Sequence, residues 1–287
     1  MITYKDLSNK IDPQIVEVLS IIKDIAGELN IPFFLVGARA RDFFFSLLYN
    51  ILTRRATFDI DLGIKVSSWE EVSRFTEQLL SIGQFSNVNK LSSRFKHKNG
   101  LLVDIVPFGK VENPSGKVQW PAEDAIMTTL GFEEAYEYSL EVLLRKDPPL
   151  VLKICTPPAM VMLKLIAWEE KKPERAKDAQ DIDYIMQNYI DADNDSRLSE
   201  EDNDLHEEEG FDYTKASARI LGRDIAKIAS DESISYLLKI LERETKNDSS
   251  FKLLSDMIQR GASYEDNFEQ SQALLIQLKL GITDKRK

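Results

Sequence analysis

The 287-residue sequence predicts an α+β protein, with an α/β domain over residues 1–150 followed by a helical domain over residues 151–287. Two observations lead to this prediction. In the first half, segments with helical apolar spacing alternate with short segments that are wholly apolar or strictly alternating. After about residue 157 only helical spacing remains, so the boundary between the domains is expected within residues 135–156.

In the first domain, the predicted helices carry one apolar stripe each, and they cover residues 12–29, 39–52 and 68–82. Asp12 and Pro13 form the start of the first helix, while Ser68 and Glu71 have the spacing of a capping box. The predicted strands are short and apolar or alternating, and they cover residues 33–36, 58–66, 84–90, 93–98 and 101–107. Gly100 is expected to turn the last two strands into a hairpin.

In the second domain, helices are predicted over residues 156–171, 173–190, 213–229 and 232–246. The first of them begins with Thr156 as cap and a Pro-Pro pair in its first turn. Residues 191–212 contain eleven acidic residues and one arginine, and they are expected to form a solvated linker. Their partial likeness to a calcium-binding loop is weak, because Ser196 stands where the sharp-turn glycine belongs and Asp202 replaces the bidentate glutamate.

The composition indicates a soluble globular protein, with 43% hydrophobic and 30% charged residues. The sequence has no apolar run of membrane-spanning length and no recognisable secretory signal, so we expect a cytoplasmic protein without membrane contact. The single cysteine, Cys155, excludes an internal disulfide. With one cysteine and two histidines, a zinc site of the Cys/His type is nearly excluded, and any metal should be a hard cation on carboxylates.

The net charge of −11 does not exclude a nucleic-acid partner, because it is unevenly distributed. Residues 191–212 carry −10, which leaves −1 for the rest of the chain. A nearly neutral body can present a basic face to a phosphate backbone, so an RNA partner is compatible with this composition.

The strongest chemical signal is the pair Asp59 and Asp61 on the alternating strand. Side chains two residues apart on a strand share a face, so both carboxylates should project together while Phe58, Ile60 and Leu62 are buried on the other side. Neighbouring carboxylates repel each other unless a cation lies between them, and Mg²⁺ or Mn²⁺ is the expected occupant. The alternative is an ordinary acidic outer face of a half-buried strand.

Asp104 interrupts the otherwise apolar strand 101–107. A charge in such a strand needs compensation, so Asp104 is predicted to complete a three-carboxylate metal cluster. The alternative is an ion pair with Arg55, Arg94 or Lys96.

A glycine turn between a strand and a helix gives a candidate phosphate contact at Gly37 and Ala38. Arg39 and Arg41, just inside that helix, are expected to reach a triphosphate. The alternative is a simple turn followed by two solvated arginines.

These residues together resemble the nucleotidyltransferase superfamily, which includes polymerase beta and the tRNA-tailing enzymes, and within it the AbiEii/AbiGii toxin family. The shared segments are Gly37-Ala38-Arg39-Ala40-Arg41-Asp42, Thr57-Phe58-Asp59-Ile60-Asp61-Leu62, Asp104 to Gly109, Leu163 to Trp168, Lys177 to Ile182 and Leu221 to Ala226. The resemblance implies a polymerase beta-like mixed sheet and the transfer of a nucleoside monophosphate from an NTP to a hydroxyl group.

The resemblance also implies that Thr57 contacts the nucleotide, that Lys164 steadies the triphosphate and that Asp178 binds the nucleophile or the lysine. Lys164 lies in a strongly apolar helix, where the alternative is a side chain that extends from a buried helix to solvent. Ala38 departs from the family pattern, which has Gly or Ser there, so a phosphate-binding hydroxyl is lost.

For partners, the resemblance implies an RNA acceptor such as a tRNA 3′ end and a protein antitoxin, with a protein hydroxyl or a small molecule as other acceptors. The alternative function is a catalytically silent protein of this fold that binds nucleotide or a protein partner.

Overall fold

The computed structural model describes residues 4–53, 57–88, 93–113, 116–121, 126–171, 175–208, 210–246, 250–258 and 264–284. Arg55, one of the predicted ion-pair partners of Asp104, lies outside these ranges. The tertiary contacts divide the chain into two compact units, Met1–Thr156 and Pro157–Lys287. Among the described helices, none combines the length and apolar character that a membrane span requires.

The first unit is built on a mixed sheet. Its strands, with those of a separate hairpin, are β1 Lys5–Asp6, β2 Phe33–Val36, β3 Asp59–Lys65, β4 Phe85–Asn87, β5 Arg94–His97, β6 Leu102–Phe108, β7 Lys117–Gln119, β8 Ile126–Thr128, β9 Leu140–Arg145 and β10 Leu150–Ile154. The eight-stranded sheet has the order β1-β9-β10-β2-β3-β6-β5-β4, and β7 and β8 pair with each other. The pairs β1–β9, β10–β2 and β3–β6 are parallel and the others antiparallel, which confirms the predicted α+β class.

The helices of this unit are α1 Pro13–Leu29, α2 Gly37–Asp42, α3 Trp69–Ser81 and α4 Phe132–Glu137. Asp12 caps α1 as predicted, because its carboxylate accepts a hydrogen bond from the Gln14 N–H. The capping box predicted for α3 is not formed, since Ser68 makes no side-chain cap bond and Glu71 accepts from the Ser67 N–H instead.

The helix predicted over residues 39–52 has a different form in the structure. α2 passes directly into a π-helix, Phe43–Leu48, so helical structure begins earlier and ends earlier than predicted. Phe43, Phe44 and Phe45 are buried, as their apolar run predicted, and they hold this helical segment against the unit.

Phe58 is exposed, although the alternation of the strand predicted that it would be buried. Ile60 and Leu62 are fully buried as predicted, but Phe58 is 75% exposed. β3 begins only at Asp59, and its pairing with β6 begins at the same residue. Phe58 therefore precedes the ordered strand and is not covered by the core.

The second unit is helical, with α5 Pro157–Lys171, α6 Ala176–Asn188, α7 Asn203–His206, α8 Tyr213–Ile228, α9 Asp231–Glu244, α10 Lys252–Met257 and α11 Tyr264–Asp284. Helices α10 and α11 were not predicted. α8 and α11 cross at two glycines, because a Cβ on Gly222 would lie 2.3 Å from the Leu278 carbonyl oxygen and one on Gly281 would lie 2.1 Å from that of Arg219. Only glycine permits so close an approach of the two backbones.

The acidic segment 191–212 is mostly exposed in its described part, as its composition predicted, but it also contains secondary structure and a buried anchor. Its described part contains a short 3-10 helix, Asp195–Ser199, and helix α7. Asp202 is fully buried, and it accepts hydrogen bonds from Arg197 at 2.8 Å and from Arg223 of α8 at 2.6 Å. Two guanidinium groups thus anchor this segment within the helical unit, a role that also removes Asp202 from any calcium loop.

Candidate active site

Three carboxylates share one face of the sheet through the register of β3 and β6. The two strands are parallel, with Asp61 opposite Asp104 and Asp59 opposite Leu102. Residues opposite each other in a sheet project to the same side, and so do residues two apart on one strand. Asp59, Asp61 and Asp104 therefore lie on the same face, while Ile60 and Leu62 fill the core behind them.

Arg94 contacts two of these carboxylates. It lies opposite Asp104 in the β5–β6 hairpin, and its Nε and Nη2 each lie 2.6 Å from a different Asp104 oxygen. Its Nη2 is also 3.5 Å from Asp59 Oδ2. The hydrogen bonds to Asp104 are the main reason that the pKa of Arg94 is raised. Of the two predicted ion-pair partners of Asp104 that the structure describes, Arg94 and Lys96, Arg94 is the one that pairs with it.

The residues present fit a divalent cation that arrives with a triphosphate. Mg²⁺ is commonly held by one or two carboxylates together with substrate phosphates, and Asp59 and Asp61 supply two carboxylates on one rigid strand. Within the described part of the chain, no group of three acidic, histidine or cysteine side chains has metal-binding geometry. Asp104 as a third metal ligand stays a prediction.

Gly37 brings the start of α2 against the carboxylate of Asp61. Its φ is +67°, and a Cβ added there would lie 2.1 Å from Asp61 Oδ2. Val36 lies opposite Asp61 in the β2–β3 pair, so the chain turns into α2 directly beside this side chain. A side chain at position 37 would meet the carboxylate, which explains the glycine on steric grounds.

Arg39 and Arg41 are buried rather than solvated, which excludes the alternative reading of these two residues. The Nε of Arg39 is buried without a hydrogen-bond partner. Burial lowers the pKa of Arg39, although the negative charges of Asp59 and Asp61 act in the opposite direction. Arg41 differs, because its Nη2 lies 2.6 Å from Asp42 Oδ1.

The other two predicted nucleotide contacts lie close by in the chain. Ala38 is half-buried in the first turn of α2, and Thr57 is half-buried two residues before Asp59. Both belong to the same unit as the carboxylates. Their contact with nucleotide stays a prediction.

Lys164 lies in a buried ion cluster of the helical unit. Its ammonium donates to Asp178 Oδ1 at 2.8 Å and to Asp181 Oδ2 at 2.7 Å. Burial acts to lower the pKa of Lys164, but the two carboxylates outweigh it and raise the pKa. The side chain therefore does not extend to solvent, and of the two partners predicted for Asp178 the lysine is the one present. The predicted contact of Lys164 with a triphosphate stays a prediction.

Asp178 keeps one oxygen without a hydrogen bond. Its Oδ2 is buried and has no hydrogen-bond partner, while Arg175 Nη1 is 3.3 Å away. The arginine thus provides charge but no aligned bond, because hydrogen bonds require direction as well as proximity.

Two residues of these clusters were not singled out from the sequence. Arg94 was only one of three possible partners of Asp104, and the predicted hairpin at Gly100 carried the deciding signal, since it places the two residues opposite each other. Asp181 appeared only within a motif. Its position three residues after Asp178 places both carboxylates on one helix face.

Comparison with known proteins adds a family and some distant structures. A family model described as nucleotidyl transferase AbiEii toxin, type IV TA system, matches residues 25–254. No significantly similar sequence is found among curated proteins. The crystal structure of ANT(2")-Ia with adenylyl-2"-tobramycin is 16% identical, covers 56% of this chain and 80% of its own, and has a TM-score of 0.35. The Thermotoga maritima CCA-adding enzyme complexed with tRNA is 13% identical, covers 92% and 70%, and has a TM-score of 0.28.

Proposed function

Since the chain belongs to the AbiEii nucleotidyltransferase toxin family, we propose that it transfers a nucleoside monophosphate from an NTP to a hydroxyl acceptor and releases pyrophosphate. The observation that carries this proposal is the shared face of Asp59, Asp61 and Asp104 beside the Gly37 turn. Such a face joins carboxylates for a cation with backbone that a phosphate can approach.

In this proposal Asp59 and Asp61 hold a divalent cation, Mg²⁺ or Mn²⁺, together with the phosphates of the NTP, and Asp104 joins them when the nucleotide is bound. The cation, when bound, neutralises phosphate charge and lowers the pKa of the attacking hydroxyl. The two carboxylates contribute orientation, because a strand paired on both sides holds them at a fixed spacing.

Arg39 is the proposed anion contact of the chain itself. A buried guanidinium whose Nε lacks a partner gains a hydrogen bond and a counter-charge when a phosphate approaches. Gly37 and Ala38 would add backbone N–H groups, and Thr57 a hydroxyl. Ala38 lacks the hydroxyl of the family pattern, so this part of the site relies on the backbone. Arg41, which is already paired with Asp42, takes a supporting place in the proposal.

The helical unit contributes Lys164 and Asp178 in this proposal. Lys164 would steady the triphosphate, and Asp178 would orient Lys164 through the hydrogen bond that they share. The second carboxylate, Asp181, fixes the same ammonium.

For the acceptor we propose RNA, such as a tRNA 3′ end, with a protein hydroxyl and a small molecule as the other candidates, and a protein antitoxin as partner. The nearly neutral body of the chain outside residues 191–212 is compatible with a phosphate backbone.

A second function, a catalytically silent protein that binds nucleotide or a protein partner, is favoured by one observation. Arg94 occupies both oxygens of Asp104, as a permanent ion pair would.

The test is the transfer of label from each of the four α-labelled NTPs in the presence of Mg²⁺. Total RNA and the purified protein itself are offered as acceptors. Wild type should label an acceptor with at least one NTP, and Asp61→Asn should lower the rate about 1000-fold or more, since a lost metal ligand removes several kcal/mol of transition-state stabilisation. Asp24→Asn, on the exposed face of α1, is the matched control and should keep full activity. Equal transfer by Asp61→Asn and wild type would contradict the proposed site.

A further inference from the structure

The guanidinium of Arg94 contacts Asp104 and Asp59, two of the carboxylates that are predicted to bind a metal ion. We propose that Arg94 is a built-in counter-cation, which competes with the divalent metal for Asp104 and Asp59 and makes tight metal binding depend on the accompanying triphosphate. This inference rests on the proposed function, because it assigns regulation to the same carboxylate face.

Arg94 and Asp104 form an ion pair with two hydrogen bonds. Arg94 uses two donors on the two oxygens of Asp104, both at 2.6 Å, so neither oxygen is left without a guanidinium contact. The pairing is built into the β5–β6 hairpin, where the two residues lie opposite each other. A metal ion on Asp104 must share the carboxylate with this guanidinium, and the repulsion between the two cations weakens metal binding.

Arg94 also reduces the negative charge that a metal ion meets at Asp59. Its Nη2 lies 3.5 Å from Asp59 Oδ2, so the guanidinium partly neutralises a second predicted ligand. Arg39 adds another positive charge that interacts with Asp59 and Asp61. The two guanidiniums therefore weaken the attraction of the carboxylates for a divalent cation that arrives alone, whereas a cation that arrives with a triphosphate brings negative charge to which the guanidiniums are attracted.

The ion pair can open to solvent. The side chain of Arg94 is 36% exposed and that of Asp104 is 21% exposed. Because both groups are partly exposed, water can hydrate them when the pair opens, so opening costs less than it would for a fully buried pair. A displaced guanidinium needs another anion, and the triphosphate is the anion that arrives with the metal. Metal and triphosphate are then linked, each strengthening the binding of the other.

The test is the affinity for Mn²⁺ with and without inorganic triphosphate, measured by equilibrium dialysis, because triphosphate itself binds Mn²⁺ and only the metal retained with the protein reports the site. Arg94→Gln keeps a hydrogen-bonding side chain but removes the charge, and it should bind Mn²⁺ alone about tenfold more tightly than wild type, as expected for about 1.4 kcal/mol. Addition of triphosphate should improve Mn²⁺ binding more in wild type than in Arg94→Gln.

Two further variants keep the result interpretable. Arg94→Lys retains the charge without the two-donor fork and should fall between wild type and Arg94→Gln. Arg74→Gln removes a 61%-exposed arginine from α3 and is the matched control, with unchanged Mn²⁺ affinity expected. Circular dichroism on each variant checks that the fold is retained.

The outcomes separate the two ideas. If wild type binds Mn²⁺ with triphosphate but Arg94→Gln binds Mn²⁺ alone no more tightly, the competition is wrong and the proposed function stands. If no variant binds Mn²⁺ even with triphosphate, both are wrong. Tighter binding by Arg94→Gln and not by Arg74→Gln supports the inference.

Discussion

The two units of the molecule use their charged side chains in opposite ways. In the helical unit, buried charges neutralise each other: Lys164 lies between Asp178 and Asp181, and Asp202 lies between Arg197 and Arg223. These groups are removed from solvent, and each has a partner of opposite charge.

On the sheet face of the first unit, the carboxylates remain partly exposed. Asp59 is 39% exposed and lies only at the edge of the Arg94 ion pair, and Arg39 has a buried Nε without a partner. Charges that fold a unit are expected to be matched, while charges kept for a ligand are matched only when the ligand binds. We therefore test the buried ion clusters of the helical unit by their effect on stability, and the sheet face by ligand binding.

The largest change in stability is expected at Lys164. Lys164→Ala leaves Asp178 and Asp181 buried without their shared cation, so the free energy of unfolding should fall by about 3–5 kcal/mol. Denaturant titration measures this loss. The control Lys215→Ala, on an exposed turn of α8, should change stability by less than about 0.5 kcal/mol. If Lys164→Ala were as stable as the control, Asp178 and Asp181 would not depend on Lys164 as their shared cation.

A purely apolar change in the same helix sets the scale for that comparison. Leu165 is fully buried whereas Leu163 is only half-buried, so Leu165 faces the core. Leu165→Ala should lower the free energy of unfolding by about 2–5 kcal/mol through lost burial and a new cavity, and Leu163→Ala should lower it by less. Equal losses for the two variants in denaturant titration would show that α5 does not pack as described.

The third prediction concerns acid stability through Asp224. Burial raises its pKa, but hydrogen bonds from Arg197 and Lys227 outweigh this effect and hold the pKa below the ordinary 3.8. A lowered pKa in the folded state stabilises the protein above pH 3.8, and this contribution is lost as the pH falls towards the folded-state value. Asp224→Asn should therefore cost about 1–3 kcal/mol at pH 7 and little at the lowest pH.

Denaturation midpoints between pH 3 and pH 7 would measure this difference. The curve for wild type should fall more steeply below about pH 5 than the curve for Asp224→Asn. Parallel curves would mean that the hydrogen bonds which Asp224 accepts from Arg197 and Lys227 do not stabilise the folded protein.

The smallest stability effect is expected on the sheet face. Asp59→Asn removes one of three neighbouring negative charges, so the free energy of unfolding should stay within about 0.5 kcal/mol of wild type or rise slightly. Thermal unfolding beside Asp24→Asn measures it. A loss above about 2 kcal/mol would give Asp59 a structural role and erase the contrast between the two units.

Local sequence patterns predicted much of the site because its geometry depends on short-range rules. The alternation in β3 placed Asp59 and Asp61 on one face, and the glycine turn at residue 100 predicted the β5–β6 hairpin. The choice of Arg94 for Asp104 follows from that hairpin. The parallel pairing of β3 with β6 joins distant segments, and no local pattern encodes it.

The missed features depend on contacts that are remote in sequence. β9 and β10 lie within residues 135–156, where the domain boundary was expected. The first turns of α11 are polar in sequence, so the helical spacing of its apolar residues is hard to recognise. The acidic segment is mostly exposed, as its polar composition predicted, but its buried anchor depends on Arg223, which lies 21 residues after Asp202. For Lys164, the family resemblance named Asp178 as a possible partner, whereas Asp181, which also lies in α6 and not in the helix of Lys164, was not singled out.

The central claim is that the sheet face keeps its carboxylates for a metal-bound triphosphate. Isothermal titration calorimetry of wild type, Asp59→Asn and Asp61→Asn with Mg²⁺ and non-hydrolysable analogues of the four NTPs tests it most directly. We expect metal-dependent binding of at least one analogue by wild type and none by either variant, with both variants folded. Unchanged binding of the Mg²⁺ complex by both variants would contradict the assignment of these carboxylates.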